Sequence, residues 1–304
     1  MISFVVPVYR SAESLPELHR RISAVFGDGG QDLEIVFVED CGGDDSWSVI
    51  QRLAATDPRV RGFRMSRNYG QHNALLCGIR EARGETIVTL DDDLQHPPEE
   101  VPKLLAKLDE GFDVVYGPPE QEQHGLLRDL ASQITKLALE GAMGAANARQ
   151  VSALRAFRTR LRDAFAEYRS PTVSIDVLLT WATSGFTAVR VRHEPRQFGQ
   201  SGYTPRKLVR HALNMMTGFS TRPLQLASLM GFGFAIFGLM ILAYVLVRWL
   251  LVGSAVPGFA FLASIIAIFS GAQLLALGII GEYIARMHFR TMERPAYSVR
   301  ESTG

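Results

Sequence analysis

Three consecutive carboxylates, Asp91, Asp92 and Asp93, follow the apolar run ETIVTL (85–90) and precede Gln95 and His96. Adjacent negative charges repel, so they either all face water or share a cation. A hard divalent ion with oxygen ligands would offset them and could also carry a diphosphate. The alternative is a solvated acidic turn capping the helix that Pro97, Pro98, Glu99 and Glu100 would open. A second constellation, VEDCGGDDS, follows the run LEIVFVE (33–39). Its glycines, Gly42 and Gly43, let the backbone turn sharply against a ligand. Asp40 suits the hydrogen bonds of a nucleobase or ribose, while Asp44 or Ser46 equally suits a helix cap. The third, MSRNYGQHNAL (65–75), sets Arg67 and then Gly70 at a helix start, where a cation and backbone N–H groups can meet a phosphate. His72 reads there as a surface histidine or as an acid–base group.

These motifs need a frame that brings strand ends together. Strands are expected at 2–8, 33–39, 60–65, 85–90, 113–117 and 186–193. Helices are expected near 14–26, 46–55, 71–83, 98–110, 125–143 and 174–184. The first, second and fourth strands are continuous β-branched and aromatic runs, as in a sheet covered on both faces. Alternation of strand and helix predicts an α/β, Rossmann-like fold with a mostly parallel sheet. In such sheets ligands sit beyond the carboxyl ends of the strands, where all three motifs fall.

The rest of the chain asks for a different solvent. Residues 223–247 carry no charge, and after Arg248 neither do residues 249–281. Roughly 20 apolar residues cross a bilayer as helix, so two spans are expected, at about 224–247 and 259–281, joined by VGSAVPG. Arg206, Lys207, Arg210 and Arg222 precede them, and Arg286, Arg290, Arg294 and Arg300 follow, with only Arg248 between. That asymmetry places both flanks in the cytoplasm. The expected layout is a cytoplasmic domain (1–204), an amphipathic juxtamembrane segment (205–222), the hairpin (223–281) and a cytoplasmic tail (282–304). MISFVVPVYR leads into a strand and lacks the basic start of a signal peptide. Among 304 residues the formal net charge is +1, which gives no footprint for nucleic acid. Two cysteines, Cys41 and Cys77, make no disulfide framework and fit a reducing compartment.

PVYR, EDCGGDDS, SRNYGQHNALLCGI and LDDDLQHPPEE occur here in the order and spacing of family 2 glycosyltransferases with a GT-A fold. With HEPRQFGQSGYTPRKL before the hairpin and LGIIGEYIAR at its end, the chain resembles the polyprenyl-phosphate glycosyltransferases. That group includes bactoprenol glucosyltransferases, dolichol-phosphate mannose synthases and undecaprenyl-phosphate formamido-arabinose transferases. The resemblance covers nearly the whole chain and is weakest between Pro118 and Arg149. It implies that Pro7, Tyr9 and Asp40 hold the nucleobase and ribose. It implies that Asp91 and Asp93 form the DXD pair, approaching the diphosphate through Mg²⁺ or Mn²⁺ with Gln95 as a further ligand. Arg67 and Asp92 join the donor side. Arg196 and Ser201 match an R-x-x-G-x-S segment near the phosphates.

Four departures stand out. Ser11 occupies a position that is often acidic, and Asp92 replaces the alanine of DAD. Gly202 replaces a lysine, for which Arg206 and Lys207 are substitutes in binding the acceptor phosphate. Arg149 stands where an aspartate, considered a catalytic base, is expected. A phosphate monoester acceptor has a second pKa near 6, so its oxygen is largely ionised without a base. Arg149 and Arg155 are then expected to bind the acceptor, and Asp176 is the candidate if a base is used.

The sequence therefore reads as an inverting, metal-dependent transferase. It would move a sugar from a nucleotide-sugar to polyprenyl phosphate at the cytoplasmic face of an inner membrane. A homo-oligomer, a tetramer by resemblance, is expected. A processive synthase would typically show Q-x-x-R-W and more spans; here Val245 stands in place of the glutamine before Arg248-Trp249. A soluble nucleotidyltransferase would carry a G-x-G-x-R loop, which is absent. A non-catalytic membrane scaffold is favoured by Arg149 and Ser11 and disfavoured by the intact Asp91, Asp93 and Gln95.

Overall fold

A computed structural model describes residues 1–27, 32–120, 150–170, 172–195, 222–252, 258–292 and 294–303. The strands are β1 (Ile2–Val8), β2 (Leu33–Glu39), β3 (Val60–Met65), β4 (Thr86–Thr89), β5 (Val114–Tyr116), β6 (Arg155–Arg158), β7 (Phe186–Ala188) and β8 (Val299–Ser302). The helices are α1 (Leu15–Phe26), α2 (Ser46–Thr56), α3 (Gln71–Glu81), α4 (Val101–Asp109), α5 (Ile175–Ala182), α6 (Arg222–Val252) and α7 (Phe259–Thr291). One sheet contains all eight strands in the order β7-β5-β6-β4-β1-β2-β3-β8.

The expected α/β class holds, with a parallel centre. β4, β1, β2 and β3 run parallel, in register from Ile2 opposite Leu33 to Val8 opposite Glu39. Every residue of β1 and β2 is buried, which explains their unbroken apolar sequences. The residues Leu15, Leu18 and Ile22 of α1, Trp47 and Ile50 of α2, and Leu104 and Leu108 of α4 fill one core. Leu76 and Ile79 of α3 and Leu178 and Leu179 of α5 fill the other. Helix α3 lies close on the strands because of Gly78, where a Cβ would come within 2.4 Å of Val5.

Several expectations change in detail. The strand expected over 186–193 is regular only over Phe186–Ala188, and a 3₁₀ turn (Pro98–Glu100) opens α4. The helix expected at 125–143 lies outside the described residues. β6 runs antiparallel to both neighbours and separates β4 from β5, so the sheet is mixed. Neither β6 (RAFR) nor β8 (VRES) is long or apolar enough to announce itself.

The segment expected as a tail in fact completes the sheet. β8 pairs antiparallel with β3, Trp47 Nε1–H donates to Glu301 Oε2 at 2.9 Å, and the Gly62 N–H donates to Thr303 Oγ1 at 2.8 Å. Between this strand and the rest of the sheet come α6 and α7. They carry long apolar stretches, Pro223–Leu251 with mean hydropathy 2.3 and Ile268–His288 with mean hydropathy 1.5, and those windows are exposed. Side chains this apolar have no place in water. The two helices are candidate spans of a membrane protein, and both run beyond the uncharged stretches, since α7 continues to Thr291. Phe234 and Phe269 meet edge to face between them at 5.7 Å.

Candidate active site at the carboxyl ends of the strands

The chain leaves β1, β2 and β3 on one side of the sheet's midline and re-enters at β4 on the other. The carboxyl ends of β1 and β4 therefore flank a topological switch point, where a crevice forms. Each of the four loops here contains a residue with left-handed backbone: Arg10 (φ 57°), Cys41 (φ 54°), Gly70 (φ 93°) and Leu94 (φ 61°). Only Gly70 takes that conformation without steric cost, so the other three are held there by their surroundings.

A ring of side chain-to-loop hydrogen bonds supplies the hold. After β1, the Tyr9 N–H donates to Asp92 Oδ2 at 3.0 Å. Arg10 Nε–H donates to the Gly42 carbonyl at 2.9 Å, and the Ser11 N–H to Ser46 Oγ at 2.9 Å. Asp40, after β2, accepts the N–H groups of Tyr69 and Gly70 at 2.7 and 2.8 Å, one on each carboxylate oxygen. At the start of α3, Gln71 Nε2–H donates to Asp91 Oδ1 at 2.6 Å, and the circuit is back at β4. Asp93, itself buried, accepts the Gln95 N–H at 3.0 Å. The tail joins in, since the Ser66 N–H donates to the Ser298 carbonyl beside the loop that holds Arg67.

The two departures at Ser11 and Asp92 are neighbours in space. Burial pushes the Asp92 carboxyl up to about 6, against the Ser11 hydroxyl and the Tyr9 N–H, which favour its charged form. Asp40 is likewise pushed up to about 6 by burial, opposed by its two backbone donors. Tyr9 is 46% exposed and offers its ring at the mouth, with the Arg10 guanidinium 5.3 Å from the ring centre. Arg67 lies over Tyr69 at 4.7 Å.

Below the loops sits a buried polar layer. His96 meets His193 edge-on at 5.0 Å and lies 3.3 Å from Ser152 Oγ. Burial and the neighbouring His193 push it down to about 4, so it is neutral at physiological pH. Expected separately as an acceptor ligand and a base, Arg155 and Asp176 stand instead as partners. Arg155 Nη1–H donates to Asp176 Oδ1 at 2.5 Å, with the two residues 3% and 4% exposed. The Tyr116 hydroxyl donates to the same oxygen at 3.1 Å, and burial raises its pKa well above the ordinary value.

The structure thus gathers Tyr9, Asp40, Asp91, Asp92, Asp93 and Gln95 onto one edge with Arg67. Pro7 lies within β1, opposite Val38. Arg149, Arg196, Ser201, Arg206 and Lys207 lie outside the described residues. Sequence reasoning missed Gln71, Tyr69 and Arg10; the NYGQ and PVYR motifs contained them, but nothing local showed which loops they would bridge. The opposite edge has its own cleft of about 630 Å³, lined in part by Gly84, Asp113, Arg158 and Arg160. Its two arginines are paired, Arg160 with Asp113 and Arg158 with the nearby Asp109, and none of the sequence motifs reaches it.

The residues present fit a divalent cation delivered with its ligand. Among the described residues no three His, Cys, Asp or Glu side chains form a ready-made cage. Mg²⁺ typically needs only one or two carboxylates when substrate phosphates complete its shell, and Asp91 and Asp93 at one strand end supply two.

Comparison with known proteins agrees. Residues 3–168 match the family model described as glycosyl transferase family 2. The chain belongs to glycosyltransferase family 2. An undecaprenyl-phosphate 4-deoxy-4-formamido-L-arabinose transferase of Pseudomonas syringae is 35% identical over 99% of this chain and 90% of its own length. One of the same description from Salmonella enteritidis is 36% identical over 99% and 93%. The fold is that of glucosyl-3-phosphoglycerate synthase of Mycobacterium tuberculosis, solved with Mn²⁺, uridine diphosphate and glucosyl-3-phosphoglycerate (TM-score 0.52, 18% identity, 71% of this chain and 77% of that one). Mannosyl-3-phosphoglycerate synthase of Rubrobacter xylanophilus shares it too (TM-score 0.51, 19% identity, 70% of each chain). The family 2 domain here is a GT-A glycosyltransferase domain with a sheet completed from beyond an apolar hairpin.

Proposed function

We propose that this glycosyltransferase moves a sugar from a nucleotide-sugar to polyprenyl phosphate, of the undecaprenyl type, at the cytoplasmic face of an inner membrane. The observation that carries the reading is the closed ring of loops around Asp91–Asp93 on a sheet whose last strand lies beyond the hairpin. Because β8 and β3 share that sheet, the chain entering α6 and leaving α7 is on one side of any membrane the hairpin crosses. The basic flanks favour the cytoplasm for that side.

Tyr9 stacks on or edges the nucleobase, and Asp40 fixes the loop that carries Tyr69, Gly70 and Arg67 toward the ribose and phosphates. Asp91 and Asp93, with Gln95, would hold Mg²⁺ or Mn²⁺, which would supply Lewis-acid stabilisation of the leaving diphosphate. The acceptor's ionised oxygen approaches the anomeric carbon from the face opposite that diphosphate, giving inversion. It requires positioning and charge neutralisation more than a base. Arg149, Arg196, Ser201, Arg206 and Lys207 are the groups we assign to the acceptor phosphate. Arg155 and Asp176 we assign to each other, since Asp176 Oδ1 already accepts from both the Arg155 guanidinium and the Tyr116 hydroxyl. The apolar hairpins would join copies into a homo-oligomer, a tetramer by resemblance.

The test is a radiolabelled transfer assay with the purified full chain, undecaprenyl phosphate, Mg²⁺ or Mn²⁺, and a panel of UDP-, GDP- and dTDP-sugars. Lipid-linked product that disappears with EDTA and falls by about 10³-fold in Asp93→Ala is expected, the scale of losing preorganised charge stabilisation. Absence of both turnover and nucleotide binding would remove the enzyme reading in favour of the scaffold.

A further inference from the structure

The three aspartates have three different partners. Asp91 receives the Gln71 side chain, Asp93 receives its own loop at Gln95, and Asp92 reaches across the crevice to the backbone of another loop, at Tyr9. The segment it reaches is one of the three strained ones. Arg10 holds a left-handed backbone, and a non-glycine residue stays there only when contacts on both sides fix it. On the far side those contacts come from the β2 loop: Arg10 Nε–H to the Gly42 carbonyl, the Ser11 N–H to Ser46 Oγ, and the Ala12 N–H to Asp44 Oδ2 at 3.4 Å. On the near side, the Tyr9 N–H is held by the Asp92 carboxylate at 3.0 Å, while the Tyr9 carbonyl accepts from the Ser11 hydroxyl at 3.2 Å. Tyr9 is the residue that presents a half-exposed ring at the mouth.

We infer that Asp92 is a positioning residue for the donor rather than a metal ligand: it pins the Tyr9 backbone so that the ring stands where a nucleobase would lie. This rests on the donor reading proposed above for the part that concerns the nucleotide. The pinning itself does not depend on it. What Asp92 supplies is a hydrogen-bond acceptor in one place. Asparagine keeps an acceptor oxygen at the same distance, and alanine does not.

The experiment compares Asp92→Ala and Asp92→Asn with the wild-type full chain in detergent by two readouts. The first is amide hydrogen exchange over residues 8–13 without any ligand. Asp92→Ala is expected to speed exchange at Tyr9 about tenfold, the loss of roughly one net hydrogen bond, and Asp92→Asn by less than threefold. The second is the donor and Mn²⁺ dependence of transfer. Asp92→Ala should raise the donor KM about tenfold with the Mn²⁺ half-saturation at saturating donor unchanged, and Asp92→Asn should restore the donor KM. Unaltered exchange in Asp92→Ala would overturn the pinning. A Mn²⁺ requirement that rises in both variants would overturn the choice of positioning over ligation. A wild-type chain that binds no nucleotide would defeat the donor reading, and the exchange measurement would still decide whether Asp92 holds the loop.

Discussion

The strand-end loops and the apolar hairpin are built by opposite rules. In the loops, side-chain hydrogen bonds join residues far apart in sequence: Tyr9 to Asp92, Arg10 to Gly42, Tyr69 to Asp40, Gln71 to Asp91. Charge is buried there and backbone is strained. In the hairpin, the side-chain hydrogen bonds Arg248 to Tyr244 and Arg286 to Glu282 each join residues four apart on one helix. Shape comes from apolar side chains against lipid. The difference teaches where precision resides. A helix in lipid satisfies its own backbone and tolerates change on its surface, whereas the crevice depends on each remote partner arriving.

Substitutions should reproduce that contrast. The largest effect is expected beneath the crevice, where Asp176→Ala leaves Arg155 buried without its counter-charge. A loss of about 3–5 kcal/mol is expected in denaturant unfolding of the detergent-solubilised protein. Replacing both partners, Arg155→Met with Asp176→Leu, should recover most of it. If the double variant is as unstable as the single, the pair is not the source of the effect. Retained stability with lost turnover in Asp176→Asn would instead return Asp176 to the role of base.

An intermediate effect is expected at Asp40. Its carboxyl is raised from the ordinary value near 3.8 to about 6, so the ionised form is the costly one in the folded protein. The stabilising side of this linkage is complete below about 4 and is lost as the pH rises through 6. Asp40→Asn removes the titration. Its stability relative to wild type should therefore be greater at pH 8 than at pH 4.5 by about 2 kcal/mol, the part of the carboxyl's shift that falls in that range. Only one of the N–H groups of Tyr69 and Gly70 keeps an acceptor, so nucleotide affinity should fall at both pH values. Thermal unfolding and nucleotide titration at the two pH values check both parts. A pH-independent difference would mean that Asp40 titrates normally.

The smallest effect belongs to the hairpin. At Gly238 a Cβ would lie 3.2 Å from the Phe269 ring, a contact the ring relieves by a few tenths of an ångström. Gly238→Ala should change stability by less than about 1 kcal/mol, small packing losses in lipid being offset by better helix propensity. Transfer activity should be unchanged. A large loss in a detergent melt would show that the two helices pack as tightly as the soluble core and would weaken the contrast.

The legibility of the sequence divides along the same line. β1 and β2 were readable because a strand buried on both faces is apolar throughout, and α6 and α7 because lipid demands it over some thirty residues. The DDD, EDCGGDD and NYGQ motifs were readable as strand ends, and the resemblance gave them a family. β6 and β8 were not readable. Each is short and carries arginine in place of an unbroken apolar run (RAFR, VRES), so its strand identity comes from the neighbour it pairs with.

Sequence alone therefore determined the composition of each part: an α/β domain, acidic strand ends suited to a cation, and a hairpin fit for a bilayer. Periodicity and solvent preference are local properties, written residue by residue. Only the tertiary structure decided the pairings. It put Asp92 on Tyr9, made Arg155 and Asp176 partners, and returned the chain beyond the hairpin to β3. Such contacts depend on loop closures across tens to hundreds of residues, and their energy exists only once the sheet has brought both ends together.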